Sequence, residues 1–331
     1  FDNGVSTLDL APGVETAHVR LCNPEPLVVQ QGRRFLYDAR LTSSNGEASC
    51  GSCHVFGDMD DLAWDLGDPD GDVMPTFNRQ GPLGSRASFH PLKGPMTTQT
   101  LRGMAHGGPM HWRGDRTGAT AMDPDRDSDE RAAFHTFGPA FPALLGRDEG
   151  PLSEADMQAF TEFALALTLP PNPVRDLGNQ LSPSATRGMN TFMTRTVDVI
   201  ATCEGCHTYD RAQGFFGSDG RTTFENETQD FEVAHLRNVY QKVGMFGIAN
   251  TPFLSPIDAS ATGPQVRGVG FLHDGSIDTT DHFFHASVFS FMNDGERNDV
   301  VDLMMEFDSD LAPVVGQQVT VGPSASMEAT D

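Results

Sequence analysis

The sequence predicts a mainly α-helical chain with long loops, arranged as two tandem domains related by internal duplication. Three observations carry this expectation. The motif Cys-x-x-Cys-His occurs twice, at Cys50-Gly-Ser-Cys53-His54 and at Cys203-Glu-Gly-Cys206-His207. Each copy follows a segment whose apolar residues recur three to four apart, the spacing of one helix face. Between the copies lies Leu169-Pro-Pro-Asn-Pro-Val174, where consecutive prolines stop a helix and stiffen the chain.

The repetition extends around the motifs. Gln30-Gln-Gly32-Arg-Arg-Phe35-Leu-Tyr precedes the first, and Ala185-Thr-Arg-Gly188-Met-Asn-Thr-Phe192-Met precedes the second. Downstream, Thr100-Leu-Arg-Gly-Met104 and Met110-His-Trp-Arg-Gly114-Asp are echoed by His235-Leu-Arg-Asn-Val239 and Phe271-Leu-His-Asp-Gly275-Ser. A helix is expected over Ser153–Thr168, opened by Ser153-Glu-Ala-Asp156, with Met157, Phe160, Phe163 and Ala164 at helical spacing. The domain boundary follows at the prolines, giving domains of residues 1–170 and 171–331, the second ending in a flexible tail.

Composition narrows the function classes. The 331 residues include 34 Gly and 22 Pro, as expected of a loop-rich chain. No apolar run approaches the ~20 residues that span a bilayer. The chain opens on Phe1-Asp-Asn-Gly4 without the basic and apolar regions of a signal peptide, as a mature product or a segment of a longer polypeptide would. Its 46 acidic against 22 basic residues, a formal charge of −24, argue against nucleic acid and anionic lipid as partners. That balance suits docking to a basic redox protein, or simply a solubilising acidic surface. Of the five cysteines only Cys22 stands outside the motifs, as a buried free thiol or half of a bridge to something beyond the chain.

Cys-x-x-Cys-His is the attachment motif of haem c. Two intervening residues let both thiols reach the vinyl edge of one porphyrin, and the histidine that follows falls beneath the iron. A thioredoxin-type pair would need a βαβ setting and no following His. A four-Cys zinc site would need far closer spacing, and two Cys-x-x-Cys disulfides would be strained. The doubled motif favours two covalently bound haem c groups on cytochrome c-like domains. Thioether attachment occurs outside the bacterial cytoplasm, so a periplasmic or extracellular location follows.

With these motifs the chain resembles the bacterial dihaem cytochrome c peroxidase and MauG superfamily, over about Pro26 to Asp299. Leu236-Arg-Asn-Val239 with Phe271-Leu-His273-Asp-Gly-Ser276 resembles the signature after the family's second haem. Thr100-Leu-Arg102 with His111-Trp112-Arg-Gly-Asp-Arg116 resembles the tryptophan segment after its first. The resemblance implies peroxide reduction at the N-terminal haem and electrons relayed from a small donor protein through the C-terminal haem. It also implies a tryptophan between the haems, here Trp112, and often a calcium ion between the domains.

The sixth ligands are less plainly marked. His90, in Ser-Phe-His-Pro-Leu-Lys93, is the choice for the first haem, with His106 and His111 behind it. For the second, the family's gap from His273 lands on Ser287, which is no strong ligand. His285 is favoured there, with Met245 its main rival and His282 and Met292 nearby. Glu130 falls nearest the place of the peroxidases' acid–base carboxylate; a solvated acidic turn is the competing reading. Asp58, Asp60, Asp61, Asp65, Asp68, Asp70 and Asp72 alternate around a Gly turn as calcium ligands can, without the bidentate Glu of an EF-hand. Trp64 has no motif around it and is expected in the core. Two functions stand: a peroxidase-like oxidoreductase, or a non-catalytic electron-transfer module of a larger extracytoplasmic protein. A homodimer is compatible with either.

Overall fold

The computed structural model describes residues 4–21, 23, 25–74, 89–105, 107–120, 122–123, 129–209, 221–222, 231–244, 267–309, 311–312, 318–321 and 327–330. The chain starts with an antiparallel hairpin, β1 (Gly4–Asp9) and β2 (Val14–Arg20). Then come helices α1 (Leu27–Tyr37) and α2 (Ala39–Thr42), strands β3 (Ala63–Trp64) and β4 (Met96–Thr97), and helices α3 (Glu130–His135), α4 (Ala140–Ala143), α5 (Glu154–Leu165) and α6 (Pro183–Thr194). The remainder holds β5 (Arg221–Thr222), β6 (Phe231–Glu232), β7 (Val243–Gly244), β8 (Arg267–Gly268), α7 (Thr280–Phe284), α8 (Asp294–Met305), β9 (Gln318–Val321) and β10 (Met327–Thr330). The fold is therefore mainly helical, and its strands are short and paired two by two.

Two helix pairs organise the cores. α1 packs on α5, burying Phe35, Leu36, Met157, Phe160, Phe163 and Ala164 with Phe134 and Phe141. α6 packs on α8, burying Ala185, Phe192, Val300, Leu303 and Met304 with Tyr240 and Phe307. A glycine sits at each crossing. A Cβ on Gly32 would overlap the carbonyl oxygen of Ala159, and one on Gly188 would overlap that of Asp299. Only a residue without a side chain lets the backbones come so close.

Helix starts are capped by side chains, at Ser153 as the sequence leads one to expect and also at Ser182 and Asn293. Ser153 Oγ accepts from Asp156 N at 3.2 Å, and Ser182 Oγ accepts from Ala185 N at 3.1 Å with Pro183 opening the helix. Asn293 Oδ1 accepts from Glu296 N at 3.0 Å. Each satisfies one otherwise orphaned first-turn amide. α5 ends at Leu165, three residues short of the expected Thr168.

The proline segment is packed: Leu169 is buried, and Asn172 Nδ2 donates to the carbonyls of Met305 and Phe307 at 2.8 and 3.0 Å. One expectation is revised. Trp64 is exposed, its indole N–H donating to Asp60 Oδ2 at 2.9 Å. A short edge strand gives its ring no interior to enter. The C-terminal segment includes the β9–β10 hairpin. Cys22 lies outside the described residues.

Direct bonds join the two halves. Arg237 donates to Gly103 O at 2.8 Å, Thr97 N to His273 O at 2.7 Å, and Glu232 N to Trp112 O at 2.8 Å. The glycine crossings give a direct test. Gly188→Ala is expected to destabilise the chain by about 3 kcal/mol through overpacking, whereas Gly146→Ala, facing open space at a surface turn, should cost only about 1 kcal/mol for its left-handed backbone. Urea denaturation of both variants would measure the difference.

Candidate functional site

Both Cys-x-x-Cys-His motifs close a single tight turn. In the first, Ser49 and Ser52 form a reciprocal capping box and His54 N donates to Cys50 O at 2.9 Å. In the second, Gly205 N donates to Thr202 Oγ1 at 3.1 Å and His207 N to Cys203 O at 2.8 Å. These bonds close one turn of chain from the first cysteine of each motif to its histidine.

The imidazoles are oriented identically. His54 Nδ1 donates to Gln99 O at 2.8 Å, and His207 Nδ1 donates to Ala234 O at 2.8 Å. A carbonyl can only accept, so the proton sits on Nδ1 and Nε2 keeps its lone pair. Burial pushes both histidines below their ordinary value, which holds them neutral, the state that ligates a metal.

All four thiols are free. Burial pushes Cys50 and Cys203 up to about 12, the opposite of the activated thiolate that a thioredoxin-type pair requires. Among the described residues no three His, Cys, Asp or Glu side chains converge on a metal-sized site, so the two pairs do not make a four-Cys cluster. Paired thiols plus one oriented neutral imidazole, in duplicate, fit covalent haem. When bound there, haem would be held by Cys50, Cys53 and His54 at one site and by Cys203, Cys206 and His207 at the other.

Trp112 lies where the halves meet. It is buried with Met96 and Phe231, and its indole N–H donates to Thr97 O at 2.7 Å. The Lys242 ammonium stands 5.2 Å from its ring centroid, within cation–π range. Phe231 stacks on His273 with centroids 4.0 Å apart. Beside them Gln99 Nε2 donates to Glu232 Oε1 at 2.7 Å. Burial, against Gln99 and Lys242, pushes the Glu232 carboxyl up to about 8. It also lowers Lys242, and it brings His235 down to about 3.

The other candidate residues fall as follows. His90 is exposed, its Nδ1 accepting from Leu92 N at 3.1 Å, and its loop is held by Arg113, which donates to His90 O and Leu92 O at 2.6 and 2.9 Å. His111 takes a left-handed backbone (φ 73°) and bonds Asp115 at 2.6 Å. Glu130 opens α3 and accepts from Gly108 N at 3.2 Å. His285 is partly buried, with Nδ1 donating to Asp281 O at 2.7 Å. His282, one turn earlier, is wholly buried; its Nδ1 meets Asp278 at 3.0 Å and its Nε2 has no partner. His106 and Met245 lie outside the described residues.

Calcium at the acidic run finds no support in the geometry. Asp60, Asp65 and Asp68 each accept from a backbone amide two residues on, at 3.0–3.2 Å, so these carboxylates close local turns instead of converging. Gln99, Glu232, Lys242 and Arg113 escape the sequence reading. Arg113 alone had a signal, its place beside Trp112.

No family model matches the sequence, and no curated protein matches it. The structure does align with a chain of the Kuenenia stuttgartiensis hydrazine synthase pressurised with xenon, over 86% of this chain and 88% of that one, at 17% identity and a TM-score of 0.54. A MauG-like protein associated with microbial copper homeostasis aligns over 87% of this chain and 90% of its own, at 15% identity and a TM-score of 0.45. A variant of the diheme peroxidase BthA from Burkholderia thailandensis aligns over 86% of each chain, at 15% identity and a TM-score of 0.41. The likeness to the hydrazine synthase chain is one of fold alone and assigns no residue its role.

Asp115 offers a pH test of the loop that carries Trp112. Burial alone would raise its carboxyl, but His111, Arg116 and Lys93 outweigh it and hold Asp115 well below the usual carboxylate range. Stability from this depressed group is present above the unfolded value of about 3.9 and is lost as pH falls through the lower folded value. Asp115→Asn should therefore cost about 2 kcal/mol at neutral pH, with the deficit shrinking in strong acid, as followed by urea denaturation across pH.

Proposed function

We propose that the chain is a dihaem c-type cytochrome acting as a peroxidase-like oxidoreductase. The observation that carries this reading is the matched pair of motif histidines, each with Nδ1 donating to a backbone carbonyl at 2.8 Å, the tautomer whose Nε2 can ligate a metal. Bound haem would supply, on the N-terminal side, the iron at which peroxide is reduced and, on the C-terminal side, the electron store that feeds it.

The chain's own residues then divide the work. Cys50, Cys53, Cys203 and Cys206 anchor the two groups by thioether bonds, and His54 and His207 orient them. Trp112, buried between the halves, bridges them. Glu130 is the acid–base candidate, placed beside the loop at Gly108, from whose N–H its side chain accepts. His90 serves as a displaceable partner of the first site: its loop is fixed by Arg113, but its ring is exposed. For the second site His282 fits better than His285, because its Nε2 is buried without a partner and Asp278 fixes its tautomer. Met245 remains the rival.

The glycine-crossed helix pairs and the twin histidine bonds support reading residues 1–170 and 171–331 as duplicated cytochrome c-like domains. Thioether chemistry supports a periplasmic or extracellular location; among the described residues no helix is long and apolar enough to cross a membrane. The acidic charge supports a small basic redox donor as partner, and a homodimer is compatible with the reading.

Absorbance in alkaline pyridine, with intact mass, should report two covalent haems per chain and one in the Cys203→Ala/Cys206→Ala variant. A chain without haem overturns the reading. One-electron-reduced protein should consume peroxide, and His54→Gly should slow this by about 10²-fold or more. If both sites stay low-spin and peroxide persists, the chain is an electron-transfer module.

A further inference from the structure

A continuous path runs between the two motif histidines. His54 Nδ1 donates to the carbonyl of Gln99. The side chain of the same Gln99 donates to Glu232 Oε1 at 2.7 Å. Two residues beyond Glu232 lies Ala234, whose carbonyl accepts from His207 Nδ1. Glu232 is thus the one ionisable side chain on the path, and its own N–H bonds the carbonyl of Trp112.

Resting on the proposal that His54 and His207 ligate haem, we propose that Glu232 is the redox-linked proton site of this protein, binding one proton when an electron enters the haem pair at a pH where Glu232 is ionised in the oxidised protein. The balance is one electron from a one-electron reductant and one proton from bulk water onto Glu232 Oε, so the interior gains no net charge. An added negative charge in a low-dielectric interior is costly, and a nearby carboxylate that takes up a proton removes that cost.

The surroundings suit the task. Lys242 and Gln99 face Glu232 and favour its charged form, Asp115 disfavours it at longer range, and burial outweighs the first two. Lys242 also faces Asp58, and His235 faces Lys242 and Arg237. The balance leaves the carboxyl pushed up to about 8. With the site oxidised, Glu232 is protonated below that value and ionised above it. Reduction raises its affinity for the proton, so the midpoint potential is flat in acid and falls once pH passes about 8.

Spectroelectrochemical titration of the holoprotein from about pH 6 to about pH 10 tests this. The wild type should lose up to about 59 mV per pH unit above the break, a tenfold change in equilibrium constant per unit for one electron. Glu232→Gln, a neutral stand-in for the protonated acid, should abolish the break and hold the acid plateau. An unchanged slope in a Glu232→Gln protein that carries both haems overturns the proposal. A wild-type chain lacking covalent haem overturns the underlying haem reading instead. If Glu232→Gln does not fold, Gln99→Met gives the same decision. Removing the amide donor should move the break to higher pH, and an unmoved break overturns the proposal.

Discussion

Everything at the candidate site depends on one hydrogen bond made twice. An imidazole has two nitrogens, and a metal needs the one without a proton. Tying Nδ1–H of His54 and His207 to backbone carbonyls selects that tautomer and fixes the ring plane. The carbonyls come from Gln99 and Ala234, distant in sequence from the motifs they serve. Placing them is the job of the loops before Thr100 and His235, which explains why those loops are pinned. Leu101 N bonds Gly57 O, and Thr97 N crosses to His273 O.

The helix pairs give these loops a rigid base. Gly32 and Gly188 let α1 meet α5 and α6 meet α8 at backbone contact distance. Packing that close tolerates little change in volume. It also positions the turns that follow α1 and α6, each of which leads into a Cys-x-x-Cys-His motif. The two cores meet through Trp112, Phe231 and Met96. This junction also gathers the ionisable side chains of Glu232, Lys242 and His235, whose burial disfavours their charged forms.

Much of the fold was legible before any coordinates. The apolar spacing of Met157, Phe160 and Phe163 marks a buried helix face, and Ser153 marks its start. Features that depend on environment were not legible. Trp64 reads as core by composition, yet a two-residue strand leaves it exposed. The Leu169 segment reads as a stiff linker by its prolines, and Asn172 and Arg175 bind it to the C-terminal end of α8 at Met305, Glu306 and Phe307. His285 and His282 are indistinguishable by spacing, and only the packing of α7 buries one of them completely.

The sequence by itself determined the chemistry on offer: two turns each presenting paired thiols and a histidine, flanked by repeated helical segments. Local covalent geometry is enough for that, since every participant lies within five residues. Tertiary structure alone decided the state of those groups. It set which imidazole nitrogen is free, which histidine is buried, and that Gln99 and Glu232 stand between the two sites. Each of these depends on residues far apart in the chain meeting in a medium of low dielectric, and no local pattern encodes that meeting.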